Sequence, residues 1–336
     1  MGNSSEISVV IACHESTAVL ERCLESLSKS ALAPLECVVV DDASAEDVKA
    51  VAERHGARVI RLGHRQGPAQ ARNMGALDAG GRIILFLDAD VCVHEDAITR
   101  ILDHFRRDPS LDAVIGAYDD SPAAAPFVSQ YRNLLHCFTH RAGRSEASTF
   151  WTACGAIRRE AFLRCGGLDE SFGRPAIEDI EFGTRLRDAG GRILLDPLIQ
   201  VQHLKCWTLA RMLHTDIFDR GIPWTRLILE AGSMPDDLNV RWSQRLSVIF
   251  VFLLALALSS GSAGMALGCT AAVAAVNWRF YRFLWRRRGV LFMVSAVPLH
   301  FLFHFYSGLA FAVGTILHLL GLLKPSASEI PGEEPS

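Results

Sequence analysis

Two acids, Asp88 and Asp90, stand one residue apart at the end of the apolar run Arg82-Ile-Ile-Leu-Phe-Leu-Asp-Ala-Asp-Val91. On an extended chain, side chains two apart share a face, so such a pair presents two carboxylates together at a strand end. Hard oxygen ligands of this kind suit a divalent cation, Mg2+ or Mn2+, which in turn holds a diphosphate. The same residues also describe a strand that runs into an acidic turn, and the rest of the chain has to separate the two readings.

Other residues of the right chemical types accompany them. Cys13-His-Glu-Ser16 is a polar loop directly behind the apolar run at 7–12. Asp41-Asp42 ends the run Cys37-Val-Val-Val40, and reads either as ligand-binding acids or as a turn in which Ser44 and Asp47 form a capping box. Arg72 follows the polar loop at 63–67, and a guanidinium fork suits phosphate oxygens. Glu178 and Asp179 open a helical run, where acids also simply complement the helix dipole. His203 ends a later apolar stretch, as a structural imidazole or a metal ligand.

Apolar runs at 7–12, 37–40, 57–61, 83–88, 113–117 and 150–157 are read as strands. Between and after them lie helical patterns at 17–30, 44–55, 68–78, 95–106, 127–140 and 177–187. Alternation of this kind predicts an α/β fold with a parallel, doubly wound sheet whose ligands bind beyond the carboxyl ends of the strands. The loop at 13–16, Asp41-Asp42 and Asp88/Asp90 all emerge on that edge. A dinucleotide-dependent oxidoreductase would carry Gly-x-Gly-x-x-Gly after the first strand, and Cys13-His-Glu-Ser16 is not that.

The order of Ile7-Ser-Val-Val-Ile-Ala, Val40-Asp-Asp-Ala-Ser44, Gly67-Pro-Ala-Gln-Ala-Arg-Asn-Met-Gly75, Leu85-Phe-Leu-Asp-Ala-Asp90, Gly166-Gly-Leu-Asp-Glu170 and Glu178-Asp179 resembles the family 2 glycosyltransferases of the GT-A fold. The resemblance covers roughly residues 6–205. It implies a GT-A doubly wound mixed sheet, a nucleotide-diphosphate sugar donor and a divalent metal. Cys13, Glu15 and Asp42 would then hold the base and ribose, and Arg72 would reach the pyrophosphate or orient Asp88. Asp90, with Asp88 and His203, would hold the metal. Asp179 would be the general base of a single displacement with inversion. Glu178 and Trp151 would contact the acceptor or support that base. Processive relatives carry Gln-x-x-Arg-Trp, whereas here Leu238 stands before Arg241-Trp242, so transfer of a single sugar is expected. A polysaccharide synthase subunit and an inactive membrane scaffold are the alternatives.

Half of the 336 residues are hydrophobic, and the excess gathers late in the chain. The expected organisation is a catalytic domain at 1–205, an amphipathic interface segment at 206–245, a transmembrane region at 246–323 and a disordered acidic tail at 324–336. Within the transmembrane region a hairpin is expected at 246–276, an interfacial helix at 277–288 and a further span within 289–323. Arginines before and after the hairpin favour a cytoplasmic catalytic domain. A multi-pass protein of a bacterial inner membrane, with a polyprenyl phosphate, lipid-linked saccharide or glycolipid as acceptor, is the reading. The net charge of -3 excludes the basic excess of a nucleic-acid binder. Nine scattered cysteines without Cys-x-x-Cys point to a reducing compartment, and the first residues lack the pattern of a cleavable signal peptide.

Overall fold

The computed structural model describes residues 6–323, so the expected acidic tail lies outside the described residues. Two compact units result, one of residues 6–124 and 144–206, the other of 125–143 and 207–323.

The first unit is built on strands β1 (Ile7–Cys13), β2 (Glu36–Asp41), β3 (Arg58–Arg61), β4 (Ile83–Asp88), β5 (Val91–Val93), β6 (Ala113–Tyr118), β7 (Cys154–Arg158) and β8 (Ile193–His203). These form one sheet in the order β3-β2-β1-β4-β7-β6-β8-β5. β1 lies parallel between β2 and β4, and its register sets Cys13 beside Asp41 and Ala12 beside Asp88. Hydrogen-bond register alone therefore brings three chemistry-bearing strand ends to one edge.

The sheet is mixed, not the all-parallel sheet that alternation predicts. β7 runs antiparallel to β4 and β6, and β5 antiparallel to β8. The connection from β6 to β7 starts and finishes on the carboxyl edge, so β7 has to run back. That reversal sets the residues just before β7, Trp151 and Thr152, on the same edge as Asp88. β8 is parallel to β6 and delivers His203 there as well.

Helices α1 (Thr17–Ser28), α2 (Val48–Arg54), α3 (Pro68–Asp78), α4 (Ala97–Arg107), α6 (Arg159–Arg164) and α7 (Glu178–Asp188) complete the unit, α5 belonging to the second. Pro68 sits in the first turn of α3, where its missing N–H costs nothing. Ser44 does not cap α2, contrary to the capping-box reading. Asp47 does, accepting from Ala50 N at 3.0 Å, while the Ser44 hydroxyl accepts from Glu15 N. The apolar run at 150–157 is strand only from Cys154 onward. Phe150 instead turns into the core, where Phe86, Phe162 and Phe182 pack with ring centres 5.2 Å apart in successive pairs. Phe182 lies on α7, so this aromatic cluster fixes α7 against the central strand. β5 and α6 are too short for periodicity to reveal them.

The second unit is helical: α5 (Phe127–Ala142), α8 (Leu209–His214), α9 (Ile222–Glu230), α10 (Trp242–Ser259), α11 (Ala263–Val276) and α12 (Trp278–Leu319). Gly221 and Pro223 leave the run at 209–230 helical. A π-helical turn at Thr215–Gly221 joins α8 to α9, Pro223 falls in the first turn of α9, and the Thr225 hydroxyl donates to Gly221 O at 2.7 Å. Tyr131, Leu134, Leu135, Trp207, Phe280 and Leu284 form the unit's buried core. Asp216 takes Arg132 Nη2 at 2.6 Å and the Tyr306 hydroxyl at 2.7 Å. α10 and α12 are long and apolar enough to cross a membrane, whereas α11, with 14 residues, falls short of the roughly 20 a span needs. α12 carries a break at Gly289, whose φ is 84°. None of the nine cysteines forms a disulfide among the described residues.

The capping assignment is checked by amide hydrogen exchange. Asp47→Ala is expected to cost about 1 kcal/mol at the start of α2 and to speed exchange of the amides at 48–54. Ser44→Ala is expected to leave those amides unchanged, since its hydroxyl serves the loop at 15.

Candidate active site

Arg72 is the centre of the carboxyl edge. It lies on α3 among Ala69, Ala71, Gly75 and Ala76, and only 6% of its surface is exposed. Its Nη2 donates to Asp88 Oδ1 at 2.6 Å, and its Nη1 to Glu178 Oε1 at 3.1 Å. Burial opposes the charge on this guanidinium, but Asp88 and Glu178, with Asp179 beyond them, outweigh burial and hold its pKa above the usual range. One side chain thus ties the end of β4 to the start of α7.

Asp88 was assigned to the metal and the nucleotide because residues two apart on a strand share a face. The structure corrects the premise. β4 ends at Asp88 and Ala89-Asp90 is a turn, so Asp88 faces Arg72 while Asp90 faces His203. Asp90 Oδ2 lies 3.6 Å from His203 Nε2. The His203 ring is stacked on Tyr118 at 4.3 Å, and the Trp151 ring meets Tyr118 edge-on at 4.9 Å. Burial pushes the Asp90 carboxyl up, but His203 and Lys205 outweigh it and hold the pKa below the usual carboxylate range.

Among the described residues, no three His, Cys, Asp or Glu side chains converge as a ready metal cluster. The pair Asp90 and His203 nevertheless suits a cation. Its 3.6 Å separation exceeds a hydrogen bond and matches the distance of about 3.0–3.6 Å between neighbouring ligands that each sit about 2.1 Å from an ion. Asp88, Asp90, Glu178 and Asp179 outnumber the cations of Arg72 and Lys205, which leaves negative charge for a further cation to offset. Two protein donors leave the remaining positions to a ligand's oxygens, as is usual where a divalent ion binds phosphates.

The residues expected to hold base and ribose are engaged with the protein itself. Asp42 accepts from Gln66 N at 2.7 Å and from Gly67 N at 2.9 Å, and so pins the loop at 63–67. Gly67 has φ 93°, and a Cβ there would lie 2.6 Å from Gly173 O, so only glycine fits. The Cys13 thiol is 2% exposed and 3.4 Å from Ser16 Oγ, with its pKa pushed up to about 11 by burial. Glu15, at φ 48°, uses its carboxylate to accept from Ala45 N at 2.6 Å. Glu15 and Asp42 thus shape the loops at this edge, and each carboxylate oxygen keeps a further lone pair.

Asp179 is half-buried in the first turn of α7. Its Oδ2 accepts a long 3.4 Å bond from Thr152 N, and its Oδ1 accepts from Ile180 N at 2.8 Å. Glu178 is buried, its second oxygen accepting from Ala176 N at 2.8 Å. Of the two, Asp179 is the more exposed.

Asn73 was missed as a site-shaping residue. Its amide nitrogen donates to Leu168 O at 2.8 Å and Glu170 Oε1 at 2.9 Å, while its amide oxygen accepts from Leu168 N at 2.9 Å. A Cβ on Gly167, at φ 72°, would lie 2.7 Å from that amide oxygen. Arg185 holds the same turn from α7, donating to Gly167 O at 2.8 Å and to Cys165 O. The available signal was two adjacent polar residues, Arg72-Asn73, in a helix whose other buried positions are small.

A sequence model described as Glycosyl transferase family 2 matches residues 8–166. A Haemophilus influenzae protein named "Uncharacterized glycosyltransferase" is 27% identical over 189 residues, which are 54% of this chain and 61% of that one. The poly-beta-1,6-N-acetyl-D-glucosamine synthase of Staphylococcus aureus is 24% identical over 231 residues, 66% of this chain and 54% of its own. The chain thus spans 54–61% of the length of these relatives. Among solved structures, the mannosyltransferase PcManGT from Pyrobaculum calidifontis, in complex with GDP-Man and Mn2+, is similar with a TM-score of 0.52 and 16% identity, over 95% of this chain and 88% of that one. S. aureus TarS 1-349 is similar with a TM-score of 0.50 and 15% identity, over 94% of this chain and 91% of its own. These likenesses identify the mixed sheet as the GT-A fold. With the family's sequence pattern running from β1 to the turn after α6, residues 8–166 carry a family 2 glycosyltransferase pattern on a GT-A sheet.

Proposed function

We propose that this chain transfers one sugar from a nucleotide-diphosphate sugar to a membrane-associated acceptor by inverting displacement assisted by a divalent metal. The observation that carries the reading is the acid-rich carboxyl edge, locked by Arg72 between Asp88 and Glu178, with Asp179 half-buried beside it. Support for the donor class comes from similar structures, solved with GDP-Man and Mn2+ in one case and with UDP, GalNAc and Mn2+ in another.

Asp179 accepts the proton of an acceptor hydroxyl as its oxygen bonds to the anomeric carbon and the bond to the diphosphate breaks on the opposite face. Asp90 and His203 would hold the ion, which supplies positive charge beside the leaving diphosphate. Arg72 keeps Asp88 and Glu178 in place, and Asp42 holds the loop at 63–67 over the nucleotide. α10 and α12 supply membrane attachment, with the catalytic unit on the cytoplasmic side where nucleotide sugars are made. A soluble donor and a membrane-attached catalyst favour a polyprenyl phosphate, lipid-linked saccharide or glycolipid acceptor. The S. aureus relative favours a second reading, polymer synthesis. Leu238, in the place of the glutamine of processive enzymes, speaks for the first.

The test is transfer of label from a panel of nucleotide sugars into the solvent-extractable lipid of expressing membranes. Chelator-sensitive lipid label, absent from Asp90→Asn, is expected. Label confined to insoluble polymer would select the second reading, and no transfer from any donor would overturn both.

Arg72→Met is expected to lower kcat at least a hundredfold and to cost about 3–5 kcal/mol of stability, because two acids lose their shared buried cation. Arg72→Lys should rescue little, since a single ammonium does not span both carboxylates as the fork does. Melting curves and steady-state kinetics check both variants.

Asp179→Asn is expected to cut transfer to a hydroxyl acceptor by about 10²–10⁴. An acceptor phosphate is already ionised, so transfer to it should fall far less. Equal losses on the two acceptor types would exclude Asp179 as the base.

A further inference from the structure

The first turns of α12 carry charge that the proposed reaction does not use. Phe280, Tyr281 and Leu284 are buried with Tyr131, Leu134 and Leu135, so the other side of the helix faces outward. At about 100° per residue, that side carries Trp278 and Trp285, seven positions apart, next to Arg282, Arg286 and Arg279. The two tryptophans are 52% and 59% exposed. The Arg282 guanidinium stands 5.6 Å from the centre of the Trp278 ring. Arg279, Arg282 and Arg286 are exposed, and none has an ion pair with an acid among the described residues. Arg288 differs, donating to Gln130 Oε1 at 3.0 Å.

A water-facing helix gains nothing from two exposed indoles, and a helix facing hydrocarbon does not tolerate three unpaired guanidiniums. The combination suits the headgroup layer, where an indole lies with its apolar body inward and a guanidinium meets phosphate. The sequence beyond Gly289 supports this level. The helix breaks there, and the outward residues become Val290, Leu291 and Val294, with Leu291 82% exposed. Charge gives way to uniform apolar surface within about two turns.

We propose that this face of residues 278–288 docks on anionic, phosphate-bearing lipid headgroups of the bilayer, held by Arg279, Arg282 and Arg286. The proposal rests on the membrane reading above and names the lipid class that it involves. Each arginine near such a surface is worth about a fivefold preference, so the three together give roughly a hundredfold.

The test uses the purified full chain in detergent, titrated with phosphatidylglycerol or phosphatidylcholine and read by native mass spectrometry. Wild type is expected to prefer phosphatidylglycerol roughly a hundredfold, and Arg279→Gln/Arg282→Gln/Arg286→Gln only a few-fold, with an unchanged melting temperature. Single Arg→Gln variants, each losing about fivefold, give the same answer should the triple variant fold poorly. Equal uptake of the two lipids by wild type, or a preference that survives the substitutions, overturns the docking surface. Displacement of phosphatidylglycerol by inorganic pyrophosphate overturns it in favour of a soluble diphosphate. An alkaline wash of reconstituted vesicles separates the underlying reading: release of the chain would sink the spanning helices while leaving the anionic preference as measured.

Discussion

A guanidinium withdrawn from water is stable only when fixed acceptors of opposite charge replace the solvent it has lost. Arg72 meets that requirement with two carboxylates from distant parts of the chain, Asp88 at 2.6 Å and Glu178 at 3.1 Å. Everything at the carboxyl edge is organised by that demand. α3 must lie close enough to β4 to deliver the guanidinium, and α7 must begin where Glu178 can reach it. Asp179 follows Glu178 directly, so the residue that can act as a base is placed by the residue that satisfies Arg72.

The neighbours of Arg72 extend the same logic through the backbone. Asn73 holds the turn at 167–170 on one side, and Gly67, at the head of the same helix, packs against Gly173 on the other. Asp42 fixes Gly67 from β2. A single helix of small residues thereby couples the loop at 63–67 to the turn at 167–170 and the start of α7. Substituting glycine at 67 or 167 would strain a left-handed backbone and drive a methyl into its neighbour, so the coupling depends on both.

In the helical unit the ordering principle is different. Buried polar groups are drawn to one another, with Arg132 and the Tyr306 hydroxyl meeting on Asp216. Unpaired arginines and exposed tryptophans gather in the first turns of α12, before the Gly289 break, and uniform apolar surface follows it. That sequence of surfaces follows the order of headgroups and hydrocarbon on which the proposed membrane reading rests.

Much of this was legible in the residues alone. Apolar runs ending in Cys13, Asp41 and Asp88 located three parallel strands and the edge where they finish, because hydrophobic burial and strand periodicity are local properties. The motif order pointed to the family whose model matches residues 8–166, and the late apolar stretches pointed to two helices of membrane-crossing length. What the residues could not carry was anything set by partners distant in sequence. The direction of β7 depends on where a long connection ends, and it converts a parallel sheet into a mixed one. The turn at Ala89-Asp90 separates two acids that an extended strand would have kept together, sending Asp88 to Arg72 and Asp90 to His203. Cys13, Glu15 and Asp42, polar and well placed by sequence, also meet Ser16 and the backbone amides of Ala45, Gln66 and Gly67, partners that the sequence does not reveal. Types and spacing of residues determined which chemistry is available to this protein; tertiary packing decided which carboxylate meets which cation, since that pairing is settled by desolvation and geometry across more than a hundred residues of chain.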